Sequence, residues 1–270
     1  MLIQIQLEEN FLKMISILSD KKSRQKLAVV LFWLTIWQIA SIVIGHDLLL
    51  VSPIKVAKTL LLLIQELSFW SAIAYTFVRI VCGFLLSILI GILLAALSAA
   101  SGILKALLAP FFGVVKSVPV VSFIILVLIW SGNSNLSIVI SFLMVLPIIY
   151  TNVLEGIERT DIKLLEMAHV FNVSFLNIIK YIYIPSCMPY FLSACKVGLG
   201  LCWKSGIAAE VIGLPTGSIG EKLYQSKIFL STAELFSWTI VIITISFLFE
   251  KLFLWFLKRI EKKLERSFAL

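Results

Sequence analysis

The side chains in this sequence that could do chemistry are few, and their spacing suits no catalytic site. Cys82, Cys187, Cys195 and Cys202 lie in or beside apolar runs with no CxxC spacing. They read as small buried hydrophobes, not as a disulfide frame or a metal site. His46 and His169 are the only histidines and stand far apart, so no histidine metal centre is expected. No GxSxG, HExxH or paired-carboxylate pattern occurs, and no histidine falls on a plausible partner segment for a serine nucleophile. The stretch GLPTGSIGEK (213–222) has glycines that suggest a phosphate-cradling loop. It fails the spacing, because Glu221 follows Gly220 and Pro215 stands where the first glycine belongs. A re-entrant or gating loop fits it better.

What remains is charge in apolar surroundings. Arg79, Lys116 and Lys196 fall inside apolar runs, where a charge at a helix centre costs about 2.5–3.5 kcal/mol on insertion scales. They are candidates for a solute pathway, and the bland alternative is that each snorkels to an interface. Glu210 follows an apolar run and has two readings of equal standing, an outer-gate residue or a cap for the next segment. The segment 161–189 is different again. It is the only long stretch with both charge and a helical apolar face, with Leu164, Leu165, Ala168 and Phe171 beside Asp161, Lys163 and Glu166. Asp161 and Ser174 can each cap a helix N-terminus. Asn172 between them tolerates a left-handed turn. Pro185 is expected to stop the second helix and push Ile184 out of helical geometry. Such a hairpin suits a groove on a partner protein, or packs on its own chain; periodicity alone leaves both open.

The elements that must position these residues are membrane helices. Of 270 residues, 60% are hydrophobic and 14% charged, whereas soluble domains carry about 25% charged residues. The net charge of +8 sits at the ends of apolar runs, which favours membrane flanking over nucleic-acid binding. Six spans are expected, over about 27–44, 72–99, 103–130, 136–153, 188–203 and 235–257. The first follows Lys21-Lys22-Ser23-Arg24 and is too long for a signal-peptide core, so it reads as a retained membrane helix. The third carries Pro110, Lys116 and Pro119 and is expected to be kinked or broken. In the second, Gly83, Ser87, Gly91 and Ala95 put small side chains on one face, where a helix can approach closely. Ser52-Pro53 opens an amphipathic helix bearing Lys55 and Lys58. Residues 1–20 suit an interfacial helix or a disordered tail. Fourteen Lys and Arg fall on the side of the termini and of 161–189, against four on the other side. Positive-inside bias therefore puts both ends and the hairpin in the cytoplasm. A tail of 1–26, a membrane domain of 27–258 with its polar loop at 155–187, and a basic tail of 259–270 follow.

Glu166-Met167-Ala168, then Asn172, then Ile184-Pro185 resembles the EAA loop of binding-protein-dependent ABC transporter permeases. The loop of that family has Ala where this chain has Met167 and Gly where it has Asn172. Met is a good helix former and Asn is the next-best left-handed residue, so the geometry survives both departures. Ser52-Pro53, Arg79 to Gly83, Pro119, Asn152…Gly156…Asp161, Pro189, Gly200…Trp203 and Ala209-Glu210…Gly217-Ser218-Ile219-Gly220 also resemble the nitrate/sulfonate/taurine type of permease. The resemblance implies an all-α MetI-like permease fold with six spans and a cytoplasmic coupling helix between the fourth and fifth, in a bacterial inner membrane. It implies a homodimer, two copies of an ATP-binding subunit, and an extracytoplasmic solute-binding protein. ATP would be bound by the partner, and this chain would hydrolyse nothing and hold no cofactor. The implied coupling residues are Asp161, Leu165, Glu166, Met167, Ala168, Phe171, Asn172, Ile184 and Pro185. Glu166 would be the polar contact in the ATPase groove, with Met167 and Ala168 packed beside it. Arg79, Lys116, Pro119, Trp203 and Glu210 are the candidate path or gate residues. The implied substrate is a nitrate-, sulfonate- or taurine-like anion. A thiamine-precursor pyrimidine is the alternative within the family, and a secondary transporter the alternative outside it.

Overall fold

The computed structural model describes residues 21–268, with side chains for residues 24–262 other than Lys26. The expectation for residues 1–20 lies outside the described residues. Every regular element among the described residues is helical. In chain order they are α1 (Lys21–Ile44), α2 (Pro53–Leu63), α3 (Leu67–Ala100), α4 (Gly102–Ser117), α5 (Val120–Ser131), α6 (Leu136–Glu158), α7 (Ile162–Val170) and α8 (Phe175–Ile178). A π-helical turn (Ile179–Tyr183), α9 (Ile184–Gly213), α10 (Ile219–Ile228) and α11 (Thr232–Phe268) complete the chain.

Local sequence explains most of the helix starts. Ser52 accepts a hydrogen bond from the Lys55 amide at 3.3 Å, and Pro53 takes the first helical position, where its missing N–H costs nothing. Ser101 separates α3 from α4 with an extended backbone and accepts from the Leu104 amide at 3.4 Å. Helix α6 lies at the centre, packed along α3 and α9. In its most apolar window 61% of residues are buried, against 6% in α1 and 11% in α11, which are peripheral. The predicted small-residue face of α3 is the one buried: Gly83, Ser87, Gly91 and Ala95. Ser87 Oγ donates to the Phe142 carbonyl of α6 at 2.9 Å, a contact open only to a close helix pair. Trp203 of α9 is buried beside Phe77 of α3 and Phe249 of α11, with ring centroids 6.1 and 6.5 Å away.

The span count differs from the expected six. Among the described residues, four helices are long and apolar enough to cross a membrane: Leu27–Ile44, Leu67–Ala100, Leu136–Glu158 and Thr232–Lys262. The pair α4 and α5 makes a fifth if taken as one broken span. They meet at 106° across Val118-Pro119. The break therefore falls at Pro119, while Pro110 is accommodated inside α4. Helix α9 has the length to cross, 30 residues or about 45 Å. Lys196, Ser193, Lys204, Ser205 and Glu210 keep it too polar to count on composition. Helix α11 continues unbroken past residue 258, so the basic tail is an extension of the last helix as far as it is described.

The expected break at Ile184-Pro185 does not occur. Ile184 is helical (φ −59°, ψ −48°), and the chain passes from the π-turn straight into α9. A π-turn is wider than an α-turn. It relieves the clash of the proline ring with the preceding turn, and the missing amide falls where the hydrogen-bond ladder already changes register.

Candidate functional site

Two groups of residues stand out, an exposed helix and a buried carboxylate. The exposed helix is α7. Asp161 Oδ1 accepts from the Lys163 amide at 2.9 Å and starts it. At the other end Asn172 has φ +50°. The Val173 amide reaches back to the Ala168 carbonyl at 2.9 Å, and the Asn172 amide to the His169 carbonyl at 3.0 Å. This double bond pattern around a left-handed residue is the Schellman ending, and it turns the chain sharply into α8. Ser174 precedes α8 with an extended backbone but makes no side-chain cap bond.

The two faces of α7 differ. Ala168 is buried and Leu165 half-buried, so they hold the helix to its own chain. Glu166 is exposed, and so are Ile162, Leu164, Met167, Val170 and Phe171, the last at 75%. Phe175 and Leu176 of α8 extend the exposed apolar surface. The expected apolar face is thus divided: Ala168 packs inward, and the outward side is carried by Met167, Val170 and Phe171. Ile184 is exposed and Pro185 half-buried at the start of α9, beyond the π-turn.

The buried carboxylate is Glu210, fully inaccessible on α9. Its Oε2 accepts from Thr76 Oγ1 of α3 at 2.8 Å and from the Gly220 amide of α10 at 3.3 Å. Thr76 Oγ1 in turn accepts from the Ile219 amide at 3.0 Å. The first amides of α10 are therefore satisfied from two other helices. A carboxyl group at a helix N-terminus also faces the positive end of its dipole. Ser218 and Glu221 complete the cap: Ser218 Oγ accepts from the Glu221 amide at 3.0 Å, and Glu221 Oε2 accepts from the Gly217 amide at 2.6 Å. Glu210 thus accepts from the first turn of α10 as a cap does. Gly220 is required for it, because a Cβ there would run into the Cβ and backbone of Glu210.

Of the other path candidates, Arg79 lies about one turn beyond Thr76 on α3, donates to Asn135 Oδ1 at 3.3 Å and sits 4.2 Å over the Tyr75 ring. Lys116 is exposed in the last turn of α4, and Pro119 is exposed at the elbow before α5. Trp203, like Glu210, faces the interior of the bundle in this conformation. Both belong to the packed side of α9 and leave its open side to other residues. Sequence reading missed Thr76 as the partner of Glu210, since the two are 134 residues apart. It also missed the Ser218…Glu221 capping box, whose S-x-x-E pattern was legible.

Fold and site together define a polytopic helical membrane subunit that displays a capped amphipathic helix between two bundle helices. Residues 87–266 match the family described as binding-protein-dependent transport system inner membrane component, and the chain belongs to that family. It is the membrane permease subunit of an ABC importer, a non-catalytic inner-membrane component whose system includes an ATPase and a binding protein. The taurine transport system permease protein TauC of Escherichia coli is 25% identical over 220 residues, covering 79% of this chain and 80% of TauC. The nitrate import permease protein NrtB of Synechococcus elongatus is 30% identical over 206 residues, covering 72% and 73%. The formylaminopyrimidine transport permease protein ThiX of Halalkalibacterium halodurans is 26% identical over 201 residues, covering 73% and 80%. In fold, the chain is similar to a structure of the inward-facing MetNI methionine ABC transporter. The TM-score is 0.54 at 18% identity, covering 72% of this chain and 93% of that one.

Proposed function

We propose that this subunit carries a small anion of the nitrate or organic-sulfonate kind, and that α7 receives the stroke of the ATPase. The observation that carries the coupling assignment is the exposed apolar side of α7, held between the Asp161 cap and the Asn172 ending. A rigid, capped helix transmits displacement, and exposed Met167, Val170 and Phe171 give a partner groove an apolar anchor. Glu166 supplies the polar contact beside them. Ala168 and Leu165 turn toward the chain's own side, and the short links on either side of α7 pass its movement to α6 and α9.

In this reading the chain crosses six times, with the α4–α5 pair as the third crossing and α9 as the fifth. Both termini and α7 face the cytoplasm, as the distribution of Lys and Arg favours. Two copies form the path between them, each served by one of two ATPase subunits, and transport proceeds by alternating access. The names of the taurine and nitrate relatives support a substrate that carries an anionic group, a sulfonate or nitrate. The formylaminopyrimidine relative, of similar identity, supports a pyrimidine as second reading.

The test is Glu166→Arg in the assembled transporter. The expected outcome is a folded membrane domain, with ATP hydrolysis no longer linked to uptake. Normal uptake by that variant would remove α7 as the coupling element.

A further inference from the structure

Helix α9 has an exposed face unlike that of any helix around it. Pro189, Ser193, Lys196, Val197, Gly200 and Lys204 are all exposed, and at 3.6 residues per turn they fall within an arc of about 100°. Only Val197 among them is a large hydrophobic side chain. The exposed residues of α3 and α11 are mostly of the opposite kind: Leu85, Leu89 and Leu93 on one, Ile243, Phe247 and Leu252 on the other, where exposed Lys251 is the exception and lies over the Phe247 ring. Those two faces suit lipid, and the α9 face does not.

The position of the two lysines sharpens the contrast. If α9 crosses centred on its own midpoint, Lys196 lies about 4 Å and Lys204 about 8 Å from the middle of the span. The hydrocarbon layer extends about 15 Å to either side. Lys196 is then about 11 Å from the nearer boundary, farther than its side chain reaches, so snorkelling does not rescue it. Among the described residues, neither lysine makes an ion pair. No acidic residue occurs from Leu67 to Leu154; the acid of α9, Glu210, is buried and engaged elsewhere, and Glu250 of α11, which packs on α9, is half-buried and forms no ion pair with either lysine. Leu201 and Ala208, neighbours of Lys204 on the helix surface, share an apolar cluster with Val120 and Phe123 of α5. The elbow carrying exposed Lys116 and Pro119 therefore borders this face.

We infer that the α9 face bearing Ser193, Lys196, Gly200 and Lys204 lines the aqueous solute path, and that its lysines select small anions. The inference rests on the permease reading above. Water in the path solvates the ammonium groups and removes the cost of burying them. A channel with cations on its wall and no acid paired to them concentrates anions. Spreading the charge over separate turns keeps each contact weak enough to release the solute.

Gly200 is the natural probe. It lies between the two lysines, and a Cβ there meets no atom within 4 Å. We would introduce Gly200→Cys in a Cys82→Ala, Cys187→Ala background, in membrane vesicles holding the complete transporter. The rates of labelling with sulfonatoethyl and trimethylammonioethyl methanethiosulfonate would be compared with those of a free thiol, with and without ATP. The expected result is labelling, with the anionic reagent favoured about tenfold, the low end for a charge-lined cleft. Lys196→Gln with Lys204→Gln should abolish that preference, and Arg at both positions should restore it. Labelling by neither reagent would mean that the face is covered by lipid or protein, and would overturn the inference. A preference indifferent to the lysines would overturn it equally. Retention of the ATPase on the purified complex is scored separately, because its loss speaks against the permease reading and not against the path assignment.

Discussion

Replacing Gly220 by Ala should unseat α10 from the bundle. The added Cβ would collide with the Cβ and carbonyl carbon of Glu210 and lie 2.6 Å from the Val211 amide nitrogen. All three belong to the backbone or its first side-chain atom, so no side-chain rotation relieves the contact. Overpacking of this kind costs about 1–3 kcal/mol. Retreat of α10 instead breaks the Gly220–Glu210 and Ile219–Thr76 bonds, at about 0.5–3 kcal/mol each. Either route, or a compromise between them, gives a loss of about 1–6 kcal/mol. At about 2–4 °C per kcal/mol for a chain of this size, the melting temperature should fall by on the order of 10 °C. The matched control is Gly200→Ala, also in a helix but facing open space; it should gain about 0.5–1 kcal/mol from better helix propensity. Thermal unfolding of the purified subunit in detergent reads both. Equal shifts for the two variants would show that α10 is not clamped against Glu210, and would remove the basis for treating that contact as an anchor.

Other outcomes follow from the same geometry. Thr76→Val removes a hydroxyl that both donates to Glu210 and accepts from Ile219; it should cost about 2–4 kcal/mol, while Thr76→Ser keeps both bonds and most of the stability, measured by the same melts. Asn172→Gly should preserve the ending of α7. Asn172→Val should cost about 1–2 kcal/mol at a left-handed position and weaken amide-exchange protection at Val173. Phe171→Asp should leave the melting temperature unchanged, because Phe171 is exposed, yet reduce the ATPase retained through purification.

Much of the exposed site was legible because its determinants are local. Asp161 and Ser52 accept from amides two and three residues on, Asn172 turns the chain through its own left-handed φ, and a cap side chain announces its own helix. The small-residue face of α3 was legible for the same reason, since four-residue spacing fixes which side chains share a face. Pro185 misled because a proline fixes what its own turn cannot be, not how the preceding turn adapts. The π-turn at Ile179–Tyr183 absorbed it. The span count was obscured at α9, where polarity that suits a buried or aqueous-facing helix lowers the hydropathy by which spans are recognised.

By itself the sequence determined a helical membrane chain, the order of its apolar segments, the amphipathic helix at 162–170 and the family motif that helix carries. Hydropathy, helical period and capping are properties of neighbouring residues, so no fold is needed to read them. The tertiary structure alone decided which side of α9 is packed. Glu210 and Lys204 are less than two turns apart, yet one is sealed against α3 and α10 and the other stands open. It also decided that α4 and α5 meet at 106° and that the partner of Glu210 comes from 134 residues away. Burial and long-range hydrogen bonds depend on which helices become neighbours, and that is settled only when the bundle packs.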